Sequence, residues 1–428
     1  MLSTPASRPT VVEDRRFFIA QYRKTAPLNV FSILVKLANS LGWAWLNNPS
    51  LLGYYSLASV PTSITSRALF AGAMARVRLP NTTSTEEDQR IVASAAIFDA
   101  AALGLFAVGL AVFFLATRAE IVRNLGPGLF VAISVLSIFE VLPSLAIETC
   151  GAKRRYAWNF THSNGRLVAI LVTLGLFIAC KVSLPQAGIE VWVASSLAAV
   201  ALALFYLIRK KLLAWPLRFD TGFIETVRKR WGGLVLYRGG FILFGGVPSL
   251  VIAYMPGAHE VGLFSFAFTL SNFLYAGLAP INEQVYGPSL SQLIHKREGR
   301  LLKRRIAQML SITAVISVAG SAALLWGGEP ALRLIGKYQF LESFKLLGPL
   351  LAYQSLLMLS ATFTYPLFCM NHFKSLGVSY AAGALAAYAW FAVFHADVSR
   401  AIVGLPIAGG ILLISSALQL TSRWGELS

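Results

Sequence analysis

Apolar runs of about twenty residues with few charges recur twelve times along this chain of 428 residues. One such run, wound as a helix, crosses the roughly 30 Å hydrocarbon core of a bilayer. Windows of about 19 residues predict spans near 27–46, 51–73, 92–115, 127–148, 166–185, 189–208, 233–255, 260–282, 308–326, 346–369, 375–394 and 402–421. The expected fold is an all-α polytopic membrane protein, with about twelve transmembrane helices in two six-helix bundles around a central cavity. Composition agrees: 13% of residues are charged, against about 25% in soluble domains. Spans and short loops use up the chain, so no large soluble domain is expected.

Lys and Arg number 37 against 19 acids, a net charge of +18. Such an excess suits nucleic acid, anionic lipid or membrane topology. Its distribution decides. With both termini placed on one side, the segments there carry 27 basic residues and the opposite loops carry seven. The positive-inside bias then makes both termini cytoplasmic, and contact with anionic headgroups accounts for the charge. Nucleic acid gains no separate support. The first 25 residues are polar and basic, and the run after them is too long for a signal-peptide core, so it is expected to remain as the first span.

Cys150, Cys180 and Cys369 lie in or beside apolar runs far apart, which suggests neither a disulfide framework nor a metal site. The five His are dispersed among predicted loops without metal-ligand spacing. No G-x-x-x-x-G-K-[ST] loop occurs, so direct ATP use is not expected. No cofactor is expected. The sequons at Asn81 and Asn159 fall in predicted cytoplasmic loops and are discounted.

Two stretches resemble each other. Leu52-Gly53-Tyr54-Tyr55-Ser56-Leu57-Ala58 opens the second span and Val261-Gly262-Leu263-Phe264-Ser265-Phe266-Ala267 opens the eighth, with Gly, Ser and Ala matching at an offset of 209. This predicts a parallel repeat: a six-helix bundle over 1–208, a basic cytoplasmic linker over 209–232, and a second bundle over 233–428.

The openings at Gly53 and Gly262 resemble those of a known family, as do three further segments. These are Ala279-Pro280 to Pro288-Ser289-Leu290-Ser291 running into the basic loop Lys296–Arg305, Gly336-Lys337-Tyr338 before Leu346-Leu347, and the turn Asn371-His372-Phe373-Lys374. The family is that of the oligosaccharide flippases of bacterial O-antigen and exopolysaccharide pathways, within the multidrug/oligosaccharidyl-lipid/polysaccharide exporter superfamily. The resemblance is densest from Gly257 to Lys374, and the acidic loop Glu86-Glu87-Asp88 has no counterpart there. It implies an inner-membrane transporter that moves a polyprenyl-pyrophosphate-linked oligosaccharide from the cytoplasmic to the periplasmic leaflet by alternating access. Implied partners are that lipid-linked oligosaccharide, membrane lipids, and polysaccharide polymerase and chain-length proteins. The physics fits, because unpaired polar groups of a sugar chain each cost several kcal/mol in hydrocarbon. Three alternatives stay open: a cation-coupled exporter of the same superfamily, a membrane enzyme of polysaccharide assembly, and a non-transporting scaffold within a polysaccharide assembly complex. The second is disfavoured by short outside loops, the longest of which offers Glu329 and Glu342 without a His.

A charge at the bilayer centre costs about 2.5–3.5 kcal/mol on insertion scales, so charges inside spans are functional candidates. Lys36, Arg67 and Arg238 are candidate cationic partners for a pyrophosphate, since Arg binds phosphate oxygens in a bidentate way. Asp99 and Glu140 are candidates for ion coupling or for salt bridges that neutralise Lys36 or Arg238. The glycines at 232, 239 and 246, with Gly233 and Gly240 beside them, suit close helix packing.

Reporter fusions test the topology: signal from the 209–232 linker is expected in the cytoplasm and signal from near Pro256 in the periplasm. The reverse pattern would overturn the orientation.

Overall fold

The computed structural model describes residues 27–426 except 28–29, 33, 47, 66–70, 73–74, 76–78, 80–81, 83, 153–155, 214–216, 230, 282–289, 291–292, 295–297, 371 and 395–396. Among the described residues nine helices, all of the following but α1, α2 and α8, are long and apolar enough to cross a membrane; the main helices are α1 (Val30–Leu46), α2 (Pro49–Thr65), α3 (Thr85–Ala116), α4 (Pro127–Cys150), α5 (Tyr156–Ala179) and α6 (Ala187–Arg209). A short linker helix, Thr221–Lys229, leads to α7 (Trp231–Tyr254), α8 (Ala258–Ile281), α9 (Gly299–Leu334), α10 (Phe344–Cys369), α11 (Phe373–Phe394) and α12 (Gly404–Ser422). Among the described residues each of the twelve expected spans has its helix. The chain is an all-α integral membrane protein. Its outside is apolar, with Val318 and Val393 each 71% exposed, while Ser, Thr and Asn side chains lie inside. That inversion suits a lipid surround.

Local signals explain several boundaries. The acidic residues expected in a loop form the first turn of α3, where Ser84 accepts the Glu87 N–H at 3.2 Å and Glu86, Glu87 and Asp88 meet the positive end of the helix dipole. Helices α3, α5 and α6 are followed by Arg118, Lys181 and Lys211, each in the left-handed region with φ of 49 to 54°. These three cations stand next to the negative helix ends, where orphan carbonyls collect. Helix α4 is interrupted by a 3-10 turn over Ser137–Glu140. The cause is Pro143, which lacks an N–H for the Phe139 carbonyl and crowds it. The outside loop expected over Trp326–Lys345 is instead helix as far as Leu334, then a 3-10 turn over Tyr338–Ser343. A helix of 36 residues is about 54 Å long and so projects beyond the hydrocarbon core.

One apolar cluster joins helices from before and after the linker, including Phe114, Phe130, Trp192, Phe244 and Phe264. At its edge α2 crosses α8. A Cβ on Gly53 would overlap the Ala258 carbonyl, and a Cβ on Gly262 would overlap the Pro49 carbonyl. Ala258 and Gly262 stand 209 residues after Pro49 and Gly53. One contact therefore occurs twice, with the two helices exchanging roles. Packing of α7 on α11 is equally close and uses part of the expected glycine set. Gly240 lies on the Gly377 carbonyl, while nothing lies within 4 Å of a Cβ on Gly232 or Gly239.

Gly53→Ala and Gly262→Ala should each lower stability by about 1–3 kcal/mol, the usual cost of overpacking. Gly109→Ala, where a Cβ meets nothing within 4 Å, should be neutral or stabilising. Denaturant unfolding in detergent measures all three, and equal losses would show that the crossing is not tight.

Candidate functional site

Helix α1 carries a polar stripe. Ser32, Lys36, Asn39 and Ser40 recur at helical spacing, and Ser32, Asn39 and Ser40 are buried. Ser32 Oγ donates to Asn164 Oδ1 on α5 at 2.8 Å, and Trp43 Nε1 donates to Asn39 Oδ1 at 3.2 Å. Lys36 lies half-buried in this stripe, and among the described residues it has no carboxylate partner.

Glu140 is buried at the 3-10 break of α4 and is paired with Arg166 of α5. The same Arg166 nitrogen, Nη2, also donates to Ser196 Oγ on α6 at 2.8 Å. Tyr55 of α2 lies beside this pair and beside Ser195, with its ring 5.1 Å from that of Trp43. The partner of Glu140 is thus Arg166, not Lys36 or Arg238. Sequence windows began the fifth span at Arg166, which made it a headgroup cation. The helix in fact begins at Tyr156, placing Arg166 nearly three turns inside. Only packing of α4 against α5 shows the pairing; no local pattern signals it.

Asp99 is fully buried and accepts backbone N–H bonds from Ala71 on Oδ1 and from Gly72 on Oδ2, each at 2.7 Å. Both oxygens therefore hold the backbone after the second span against α3. Neither Lys36 nor Arg238 is a partner in those two bonds. Arg67 lies outside the described residues.

Arg238 is half-buried on α7, and its Nε, like that of Arg166, is buried without a hydrogen-bond partner among the described residues. The guanidinium carbon is 5.6 Å from the Tyr237 ring centre and 6.0 Å from that of Phe241. Three residues earlier on the same face of α7, Val235 joins a face of α3 in lining an apolar groove of about 650 Å³. Phe98, Ala102, Leu105, Gly109 and Phe113 recur along α3 at helical spacing and form the other wall. Tyr254 Oη donating to Thr117 Oγ1 at 3.1 Å closes one end of the α3–α7 gap. A half-buried guanidinium beside an apolar groove suits a ligand with an anionic head and a hydrocarbon tail. Lys36 and Arg238 stand on the first helix of each half, and no contact joins them. Among the described residues no group of His, Cys, Asp or Glu is arranged to hold a metal ion.

No protein-family model matches the chain, and no curated protein matches it in sequence. Solved structures do match in fold. The lipid II flippase MurJ in an inward closed conformation aligns with a TM-score of 0.64 at 13% identity, over 94% of this chain and 89% of that one. An inward-facing multidrug resistance MATE family transporter of the MOP superfamily aligns with a TM-score of 0.56 at 13% identity, over 94% of each chain. A MATE structure in the straight conformation aligns at 0.54 and 13%, over 95% of this chain and 96% of that one. The chain therefore has the fold of these membrane proteins along nearly its whole length.

Removing one partner of a buried ion pair strands the other. Glu140→Gln should cost about 3–5 kcal/mol in unfolding free energy, and Glu140→Leu with Arg166→Leu should recover most of it. Wild-type stability of the single variant in detergent would show that the pair is not structural.

Proposed function

We propose that this chain is a transporter that carries a polyprenyl-pyrophosphate-linked oligosaccharide from the cytoplasmic to the periplasmic leaflet of a bacterial inner membrane. The observation that carries this reading is Arg238, whose buried Nε lacks a partner while the apolar α3–α7 groove begins one turn away. An unmatched donor in hydrocarbon is costly, and a diphosphate satisfies it with charge-assisted hydrogen bonds. The groove offers the polyprenyl tail a lateral position between the halves. Lys36, and Arg67 from the second span, supply further positive charge to the same head.

Both termini are cytoplasmic in this reading, and residues 1–208 and 233–428 act as the two moving bundles joined by the 209–232 linker. The face opposite the basic one is held shut by the α2–α8 crossing, by Lys337 Nζ donating to the Trp45 carbonyl at 3.1 Å, and by the Tyr254–Thr117 bond. With the basic face cytoplasmic, the closed face is the periplasmic one. Lipid-linked transport by MurJ of the same fold supports the cargo class. Glu140 and Asp99 act as structural partners of Arg166 and of the 71–72 backbone. Polysaccharide polymerase and chain-length proteins are the partners that would use the product.

Purified protein in proteoliposomes should flip a fluorescent polyprenyl-pyrophosphate oligosaccharide. Losing one charge-assisted hydrogen bond is worth about 1.5–3 kcal/mol, so Lys36→Ala and Arg238→Ala should each slow flipping about ten- to hundredfold. Arg67→Lys should retain part of the rate, and Ala102→Trp, which fills the groove, should slow it too. Arg238→Leu should unfold no more easily than wild type, because it removes an unsatisfied buried donor. Normal flipping by all four variants would overturn the assigned residues. Efflux of organic cations without lipid flipping would favour a drug exporter.

A further inference from the structure

Helix α1 holds a polar group that its own contacts leave unused. Asn39 is 5% exposed, and the two ends of its amide stand differently. Oδ1 accepts the Trp43 indole N–H at 3.2 Å, while Nδ2 is buried without a hydrogen-bond partner. Trp43 settles which end is which. An indole nitrogen donates and never accepts, so the amide atom facing it is the oxygen and the atom left over is the NH2 group. Turning the amide over would set two donors against each other. Trp43 is itself held: it is 3% exposed, one turn further along α1, with its ring 5.1 Å from that of Tyr55 on α2. The unmatched NH2 is thus fixed as a donor, and what it lacks is an acceptor.

The preceding turn of α1 lacks the same thing. Residues three apart are neighbours on a helix surface, and three before Asn39 stands Lys36, half-buried and with no carboxylate partner among the described residues. An ammonium offers three donors and no acceptor. The hydroxyls of the stripe are already engaged, Ser32 with Asn164 at 2.8 Å and Ser40 with the Lys36 carbonyl at 3.3 Å. One cationic and one neutral donor, a turn apart, match a group that carries negative charge and several acceptor oxygens. A diphosphate is such a group. A sugar hydroxyl fits less well, because it brings a donor of its own, and an organic cation is repelled by Lys36.

We infer that Asn39 Nδ2 donates a hydrogen bond to a diphosphate oxygen of the cargo, beside the charge of Lys36, and that Trp43 is the positioning residue that keeps the amide turned for it. Resting on the proposed transport of a lipid-linked diphosphate, the assignment adds two uncharged residues to the cations that hold the head.

Full-length protein in neutral detergent, titrated with geranylgeranyl diphosphate and with geranylgeraniol as the control without phosphate, tests it through the dissociation constant. The thermal unfolding midpoint of the unliganded protein is read in parallel. Wild type is expected to bind the diphosphate and not the alcohol. Asn39→Leu removes one donor to a charged acceptor and should weaken binding about ten- to hundredfold. Asn39→Asp keeps an oxygen for Trp43 and puts a carboxylate three residues from Lys36, a spacing at which opposite charges pair. It should leave the unfolding midpoint unchanged or higher, yet weaken binding more than Asn39→Leu does. Trp43→Phe frees the amide to turn and should weaken binding severalfold. Thr173→Ala, which removes a hydroxyl bonded back to its own helix, should bind as wild type does. Wild-type affinity in both Asn39 variants, with Lys36→Ala and Arg238→Ala weakened, would overturn the role of Asn39 and leave the transport reading standing. Weaker binding by Asn39→Asp accompanied by a lower midpoint would make the amide structural and overturn it too. Binding of the diphosphate by none of these proteins, wild type included, would overturn both.

Discussion

In hydrocarbon a polar group that lacks a partner has no water to turn to, and this one constraint orders the whole molecule. It explains why the described chain is helix after helix. It also explains the local answers wherever the helix pattern fails. Where Pro143 breaks α4, a 3-10 turn takes over, and Ser137 Oγ donates to the Ser134 carbonyl at 2.6 Å. Where Ala71 and Gly72 need acceptors, Asp99 supplies both oxygens. Hydroxyls inside spans bond back to their own helix, as Ser59 does to the Ser56 carbonyl and Thr173 to the Ala169 carbonyl. Among the described residues a few buried polar atoms lack a hydrogen-bond partner, the Nε of Arg166 and of Arg238 among them, and the proposed reading gives Arg238 a ligand.

What could be read from the chain before its folding follows from the same physics. Apolar length is a local property, so all twelve helices were legible. The Gly53 and Gly262 openings were legible because only a residue without Cβ fits against the facing carbonyls, which leaves a mark in sequence. Ion-pair partners leave no such mark. Glu140 was visible as a charge in the wrong solvent, but its partner depended on where α5 begins, and a polar stretch from Tyr156 to Gly165 hid three turns of helix. The roles of Asp99 and of the Glu86–Asp88 turn were likewise hidden, since a carboxylate that accepts backbone N–H groups looks in sequence like any other acid. Of the α7 glycines expected to pack, Gly233, Gly240 and Gly246 meet α11 while Gly232 and Gly239 do not, because which side of a glycine-rich helix faces its neighbour depends on the packing and not on the local pattern.

Two electrostatic arrangements divide the membrane-embedded charges. Glu140 with Arg166 is a closed charge pair: each charge meets its opposite, and Arg166 Nη2 also donates to Ser196, although Arg166 Nε is buried without a hydrogen-bond partner among the described residues. Lys36 and Arg238 are open, on the first helix of each half. A fold that neutralised every buried charge would be more stable but would present nothing to an anionic head. On the proposed reading the two cations are the binding groups and the pair is scaffold.

The crossing of α2 on α8 decides how such a molecule can move. Because Gly53 meets Ala258 as Gly262 meets Pro49, the contact is nearly self-complementary, and separating the helices breaks both contacts at once. Lipid tails compete with side chains for apolar contact, so van der Waals fit, not the hydrophobic effect, holds the helices together. The polar ties at that face are single hydrogen bonds from Lys337 and Tyr254, each worth about 0.5–1.5 kcal/mol net. Deeper in, Ser63 and Ser249 lie 2.6 Å apart, two residues after Pro61 and one after Pro248, so the remaining tie between the halves sits where both helices lack a backbone bond and bend most easily. Parting the face opposite the basic one would thus require a few weak bonds and one shape-matched contact to break, while Glu140–Arg166 and the Asp99 bonds lie away from that face within the first half.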